Sequence, residues 1–156
     1  MFVRECGGCT ACCKTHDVPS INKPAFAWCE SCAIGQGCTV YVSRPEECKT
    51  FRCQWLLGLG GASDRPDRVR IVVDYSRIKL LGNALVAQVW EVSGGALRRQ
   101  PAKAMVRLLM AERFPILTIS CDARQEFFFP TSFKVPQEAY DAYTKDCIPM
   151  KHYAAP

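Results

Sequence analysis

The chain has 156 residues, 49% hydrophobic and 22% charged, proportions of an ordinary globular protein rather than a disordered one. Its formal charge of +5 is mild, with six Lys/Arg against five Asp/Glu in residues 1–55, so charge alone gives little support to a nucleic-acid role. The longest apolar stretch, Leu80 to Trp90, is broken by Gly82, Asn83 and Gln88 and falls short of the roughly 18–20 residues that a membrane-spanning helix needs.

Residues 1–55 lack a sustained helical or strand pattern and instead hold nine of the chain's eleven cysteines: Cys6, Cys9, Cys12, Cys13, Cys29, Cys32, Cys38, Cys48 and Cys53. The opening Met1 to Cys6 contains no apolar stretch of signal-peptide length, which predicts a cytoplasmic protein whose thiols stay reduced. Residues 56–68, rich in Gly with Pro66 near their end, read as a linker closing in a turn. Val69 to Tyr75 is rich in β-branched residues and predicts a strand. A turn at Leu81 to Ala84 and a second strand from Leu85 to Val92 complete a hairpin.

In residues 101–113 the period changes. Ala102, Met105, Val106 and Leu109 recur at helical spacing, Pro101 suits the first turn and Pro115 stops the helix. Ile116 to Ser120 and Gln125 to Phe129 read as two more strands, and Pro136 opens a last short helix through Asp146. The expected fold is α+β: a cysteine-rich, metal-organised N-terminal module on a small four-stranded antiparallel or mixed sheet with one to two helices. The corresponding division is a module at 1–55, the linker, and an α+β unit at 69–156, which together form either separate units or one continuous domain.

The cysteine spacing carries the chemistry. Cys-x2-Cys turns bring two thiolates within reach of one ion, and Cys6/Cys9 and Cys29/Cys32 are two such pairs. Gly7 and Gly8 permit a tight turn whose N–H groups can point at sulfur. Adjacent Cys12 and Cys13 serve one ion poorly, so the doublet points to two ions or to one ligand and one supporting thiol. Nine thiolates exceed what one tetrahedral ion uses, so two or three zinc ions are expected, in separate sites or in a bridged cluster. Iron or an iron–sulfur cluster is the alternative, because Cys6-x2-Cys9-x2-Cys12 matches the start of a ferredoxin-type run, although His16 stands at its fourth position. His16 is a further candidate ligand. Cys121 reads as a buried hydrophobe and Cys147 as a free thiol near the tail. Trp28, Tyr41, Phe51 and Trp55 are expected to pack around the metal loops rather than to stack on bases.

The run Cys6-Gly7-Gly8-Cys9-Thr10-Ala11-Cys12-Cys13, followed by Trp28-Cys29-Glu30-Ser31-Cys32, resembles the CxxCxxCC family of zinc- or iron-chelating proteins, the YkgJ-type cysteine-cluster proteins. Gly37 to Tyr41 and Arg44 to Cys53 are similar to that family's C-x-x-Y and R-P-x-x-C segments, with Arg65 to Arg68 an extension. The resemblance covers about the first 55 residues and implies bound zinc or iron without implying a reaction. Some larger proteins with a similar cluster are associated with flagellin lysine methylation, but this chain has no glycine-rich motif for the methyl donor.

No catalytic constellation stands out. The serines lack a nucleophile motif, and the other histidine, His152, lies near the tail. Glu46 and Glu47 read as a solvated surface. An all-cysteine ligand set indicates a closed structural ion or an electron-transfer cluster rather than a hydrolytic site. The expected function is therefore zinc binding with a structural role and an unknown protein partner, with an iron–sulfur redox component as the alternative. Nucleic-acid binding through Arg65, Arg68, Arg70, Arg77 and Lys79 ranks last, since Asp64, Asp67 and Asp74 interleave those bases.

Overall fold

The structure is a computed structural model that describes residues 4–155. The first three residues of the opening that was searched for a leader lie outside that range. A five-stranded mixed sheet forms the centre, in the order β3 (Ile71–Ile78), β4 (Ala84–Glu91), β5 (Ile116–Ile119), β6 (Gln125–Pro130) and β7 (Met150–Tyr153). N-terminal to it lie helix α1 (Ala11–Thr15), a two-stranded hairpin of β1 (Cys32–Ala33) and β2 (Gly37–Cys38), and the short helices α2 (Glu46–Thr50) and α3 (Pro66–Val69). Helices α4 (Gln100–Ala111) and α5 (Gln137–Lys145) complete the chain.

The sheet alternates in direction: β3/β4 and β5/β6 pair antiparallel, whereas β4/β5 and β6/β7 pair parallel. The parallel pairs arise because α4 and α5 each carry the chain back across the sheet, as a parallel connection requires. Period-2 alternation then divides the faces. Ala102, Met105 and Leu109 of α4 pack on Ile71, Val73, Ala87, Val89 and Ile116. Ala139 and Tyr143 of α5 pack on Val86, Leu117, Ile119, Phe127 and Phe129 of the opposite face. Burying side chains such as Leu109 or Phe129 contributes about 1.5–3 kcal/mol each, so these two layers supply most of the hydrophobic stabilisation.

The α+β class is as expected, but the sheet has five strands rather than four, and there are five helices among the described residues rather than one or two. The extra strand, β7, is only four residues long, and its Lys151 and His152 are exposed, so it has no apolar alternation to announce it. It is held by pairing with β6 and by the Tyr153 hydroxyl, which donates to the Phe114 carbonyl at 2.6 Å. The extra helices are four or five residues long, below the length at which a periodic stripe is visible.

The cysteine-rich segment joins the face that α5 covers. Ala11, Cys53 and Trp55 form one buried cluster with Val72 and Val92, and Trp90 touches both this cluster and the core beneath α5. Residues 56–68 are held in place. The Arg4 guanidinium donates to the carbonyls of Trp55, Leu59 and Gly60 at 2.7–2.9 Å, and the Trp55 indole donates to Gly61 at 3.0 Å. Among the described residues no helix is long and apolar enough to cross a membrane.

Candidate metal centre

Three short devices gather the cysteines. The Cys6–Cys9 turn is closed by the Cys9 N–H donating to the Cys6 carbonyl at 2.8 Å, with Gly7 at a φ of 51°. The β1/β2 hairpin sets Cys32 directly opposite Cys38. These two turns pack back to back: a Cβ on Gly8 would stand 2.7 Å from the Gly35 carbonyl oxygen, a contact that only glycine permits. The third device is α1, which carries Cys12 and Cys13; the Cys13 carbonyl accepts the Cys29 N–H at 3.1 Å. Cys48 enters from α2, and Cys53 follows it into the buried cluster with Trp55.

Seven of the nine cysteines, all except Cys32 and Cys53, line a single cavity of about 740 Å³. All nine are free thiols. Cys32 and Cys53 sit at its margins: the Cys32 thiol neighbours Cys13, and Cys53 is buried near Cys6 and Cys9. The sulfurs converge without closing. Among the described residues, no three or more Cys, His, Asp or Glu side chains form a group that could hold a metal ion as they stand. The donor chemistry nevertheless fits a soft cation, because thiolates are the ligands that zinc and iron–sulfur clusters select.

Burial and neighbouring thiols favour the protonated form at six of the nine cysteines. Burial pushes Cys6, Cys9, Cys48 and Cys53 above their ordinary range. Cys32 is pushed up to about 11 by burial and by its neighbour Cys13. Cys13 is driven higher still, chiefly by the adjacent Cys12 thiol and then by burial. Opposing this, the N–H groups of Ala11 and Asp67 face the Cys9 sulfur, and those of Leu56 and Trp55 face Cys53. Such N–H groups stabilise a thiolate once a metal has displaced its proton. They come from Ala11, Asp67, Trp55 and Leu56, whereas the sequence pointed to Gly7 and Gly8.

Asp67 was not among the residues singled out as part of the site. Its carboxylate is clamped by Arg65, with Nε to Oδ1 at 2.7 Å and Nη2 to Oδ2 at 2.8 Å, which holds it below the usual carboxylate range. The signal for it was the Arg65 to Arg68 run, which the family resemblance extended to. Arg44 and Arg52 join Arg65 in offsetting the negative character around Cys6.

His16 lines the cavity, but both ring nitrogens have partners elsewhere: Nδ1 lies 2.8 Å from Thr15 Oγ1 and Nε2 3.4 Å from Asp74 Oδ2. The ring is packed between Phe51 and Trp90, with centroids 4.5 Å from each. This arrangement uses His16 to join module and sheet.

The aromatics divide. Trp55 is buried and Phe51 packs in the shared cluster, but Trp28 and Tyr41 are exposed, with Lys14 over one ring and Arg44 over the other. Glu46 pairs with Lys49 at 3.5 Å, and Glu47 accepts the N–H and hydroxyl of Ser20. Cys121 is half-buried beside Glu91, and Cys147 is exposed. No family model matches the chain, and no curated protein or solved structure is similar to it.

Proposed function

We propose that the chain is a cytoplasmic metal-binding protein that holds zinc in a multi-cysteine thiolate cluster, serving a structural role in contact with a protein partner. The observation that carries this reading is the convergence of cysteines from α1, the hairpin, α2 and the Cys6–Cys9 turn on one cavity. A core needing small apolar residues would bury them in close packing rather than bring seven of them to the wall of one cavity. The walls must draw together on an ion, so binding energy becomes folding energy for this segment.

An iron–sulfur centre is the second reading, favoured by the Cys6-x2-Cys9-x2-Cys12 run, which matches the start of a ferredoxin-type motif. Anaerobically purified protein assayed for zinc, iron and acid-labile sulfide separates the two. A colourless protein with about two or three zinc ions is expected, because nine thiolates exceed what one tetrahedral ion uses. Brown protein containing iron and sulfide replaces the zinc reading with the iron–sulfur one.

A further inference from the structure

Between Glu91 and Glu112 the chain runs for 20 residues with four cations, Arg98, Arg99, Lys103 and Arg107, and no carboxylate. All four are exposed, and among the described residues none has an acidic side chain within ion-pair distance. Arg98 ends the short turn before α4, Arg99 is the helix's N-cap, and Lys103 and Arg107 follow at intervals of four. Side chains four apart lie on one side of a helix, about 6 Å apart along its axis. The Arg107 guanidinium reaches back along that side and donates to the Gln100 side-chain oxygen at 3.3 Å. Asp64 flanks Gly60 together with Met105 of α4, but its Oδ2 accepts the Gly61 N–H at 2.7 Å.

The ridge lies on the outer side of α4, since Ala102, Met105 and Leu109 face the core. Its charges do not serve the helix. Cations near a helix N-terminus oppose the macrodipole, and α4 has no acidic residue in its first turn and no basic one in its last. A local arrangement that costs stability without a compensating contact points to a use outside the fold. What the ridge lacks narrows that use. A protein interface needs a desolvated apolar or aromatic centre, and the ridge offers only Leu108, 47% exposed. A membrane-binding helix gives its apolar face to the lipid, and that of α4 is spent on the sheet. A phosphodiester backbone needs only a row of cations, whose binding releases its condensed counter-ions.

We propose that Arg98, Arg99, Lys103 and Arg107 form a docking ridge for the phosphate backbone of nucleic acid, bound without regard to sequence. Residues 92–111 contain no aromatic side chain to stack on a base, so the contacts are to phosphate. The ridge is separate from Arg65, Arg68, Arg70, Arg77 and Lys79, whose charge neighbouring aspartates offset in sequence. None of its residues lines the cysteine cavity, so the inference is independent of the metal-binding reading.

The test is fluorescence anisotropy of the full chain, as purified, with labelled mixed-sequence RNA and DNA duplexes over a series of salt concentrations. Micromolar binding is expected at low salt, with log affinity falling against log salt at a slope of about −3 to −4, as about four phosphate contacts require. Arg99→Gln, Lys103→Gln and Arg107→Gln together are expected to weaken binding at least about tenfold and to flatten the slope by about 2–3. Lys79→Gln, Lys134→Gln and Lys145→Gln remove the same charge from exposed residues on or beside α5. That variant is expected to stay within about threefold of wild type, because salt screens charges more than about 10 Å away. Either duplex bound through the ridge bears the proposal out, and comparing the two names the sugar the protein meets. Wild-type protein that binds neither duplex at low salt overturns it. So does equal weakening of both triple variants, or tighter binding of polyglutamate or of phosphatidylserine vesicles than of either duplex. Where the ridge variant fails to fold, acetylation of Lys103 in the wild type decides: protection by bound duplex supports the ridge, and unchanged reactivity overturns it.

Discussion

The imidazole Nε2 of His16, just past helix α1, lies 3.4 Å from Oδ2 of Asp74 on strand β3, and so joins the cysteine-rich segment to the sheet. Asp74 spends its other oxygen on the Trp90 indole N–H at 2.9 Å. One carboxylate therefore fixes both the ring that covers the shared cluster and the helix that carries Cys12 and Cys13. The consequence is mechanical: α1 is positioned by the sheet before any metal is considered.

Replacing His16 tests that assignment. His16→Ala removes two side-chain hydrogen bonds and two aromatic contacts, and is expected to cost about 1–3 kcal/mol of stability in denaturant unfolding. Zinc stoichiometry is expected to stay at the wild-type value, because both ring nitrogens have partners in Thr15 and Asp74. Loss of one zinc ion from a folded His16→Ala protein would make the residue a ligand after all.

Chelation is expected to act unevenly along the chain. The hairpin, α2 and the Cys6–Cys9 turn depend on short contacts and on thiols that have yet to close, whereas β3 to β6 pack on α4 and α5. Amide exchange with and without chelator should show lost protection through residues 28–50 and retained protection in β4 and β5. The intervening cluster of Ala11, Cys53, Trp55, Val72 and Val92 sets where the boundary falls. Equal loss in β4 and β5 would show that metal and sheet form one cooperative unit.

The sheet and the cysteine set were unequally legible in the sequence. Strands β3 to β6 and helix α4 announced themselves through periods of two and of 3.6, and their ends shifted by only a few residues. Val69, expected to open β3, ends α3 instead because Pro66 starts a helical turn that Arg70 closes at a φ of 63°. Strand β7 was hidden because its partner, not its own pattern, makes it a strand. Within the site, spacing identified the cysteines but gave no view of the Arg65–Asp67 clamp or the partners of His16. Those depend on contacts between residues that are distant along the chain.

The back-to-back glycine turns offer a second test of the site's assembly. Gly8→Ala places a methyl 2.7 Å from the Gly35 carbonyl oxygen, so the Cys6–Cys9 turn and the β1/β2 hairpin must separate. Metal content should fall in Gly8→Ala, as it should in Cys9→Ser, while Cys147→Ser keeps the wild-type value because that thiol is exposed on the far side of α5 in sequence. Raised thiol pKa values add a pH signature: metal displaces protons, so loading is complete at higher pH and is lost on acidification. Full metal content in Gly8→Ala would break the link between turn packing and ligand placement.

Glu91, at the end of β4 and only 4% exposed, gives the sheet its own acid sensitivity. Burial alone would push its carboxyl up, but the N–H groups of Cys121 at 3.0 Å and Leu97 at 3.2 Å donate to it and hold it below its ordinary 4.5. A carboxyl whose folded pKa is depressed contributes stability above its unfolded value, and that contribution is lost as pH falls through the folded one. Glu91→Gln keeps one acceptor and drops the charge, so it is expected to be about 1–3 kcal/mol less stable than wild type at neutral pH. The gap should narrow as pH falls from the unfolded carboxyl's range through the depressed folded one, below which wild-type Glu91 is protonated in both states. Denaturant midpoints of the two metal-free proteins, compared pH by pH, measure that gap directly. A gap that is constant across the acid range would assign the loss to packing rather than to the carboxylate's hold on the two loops.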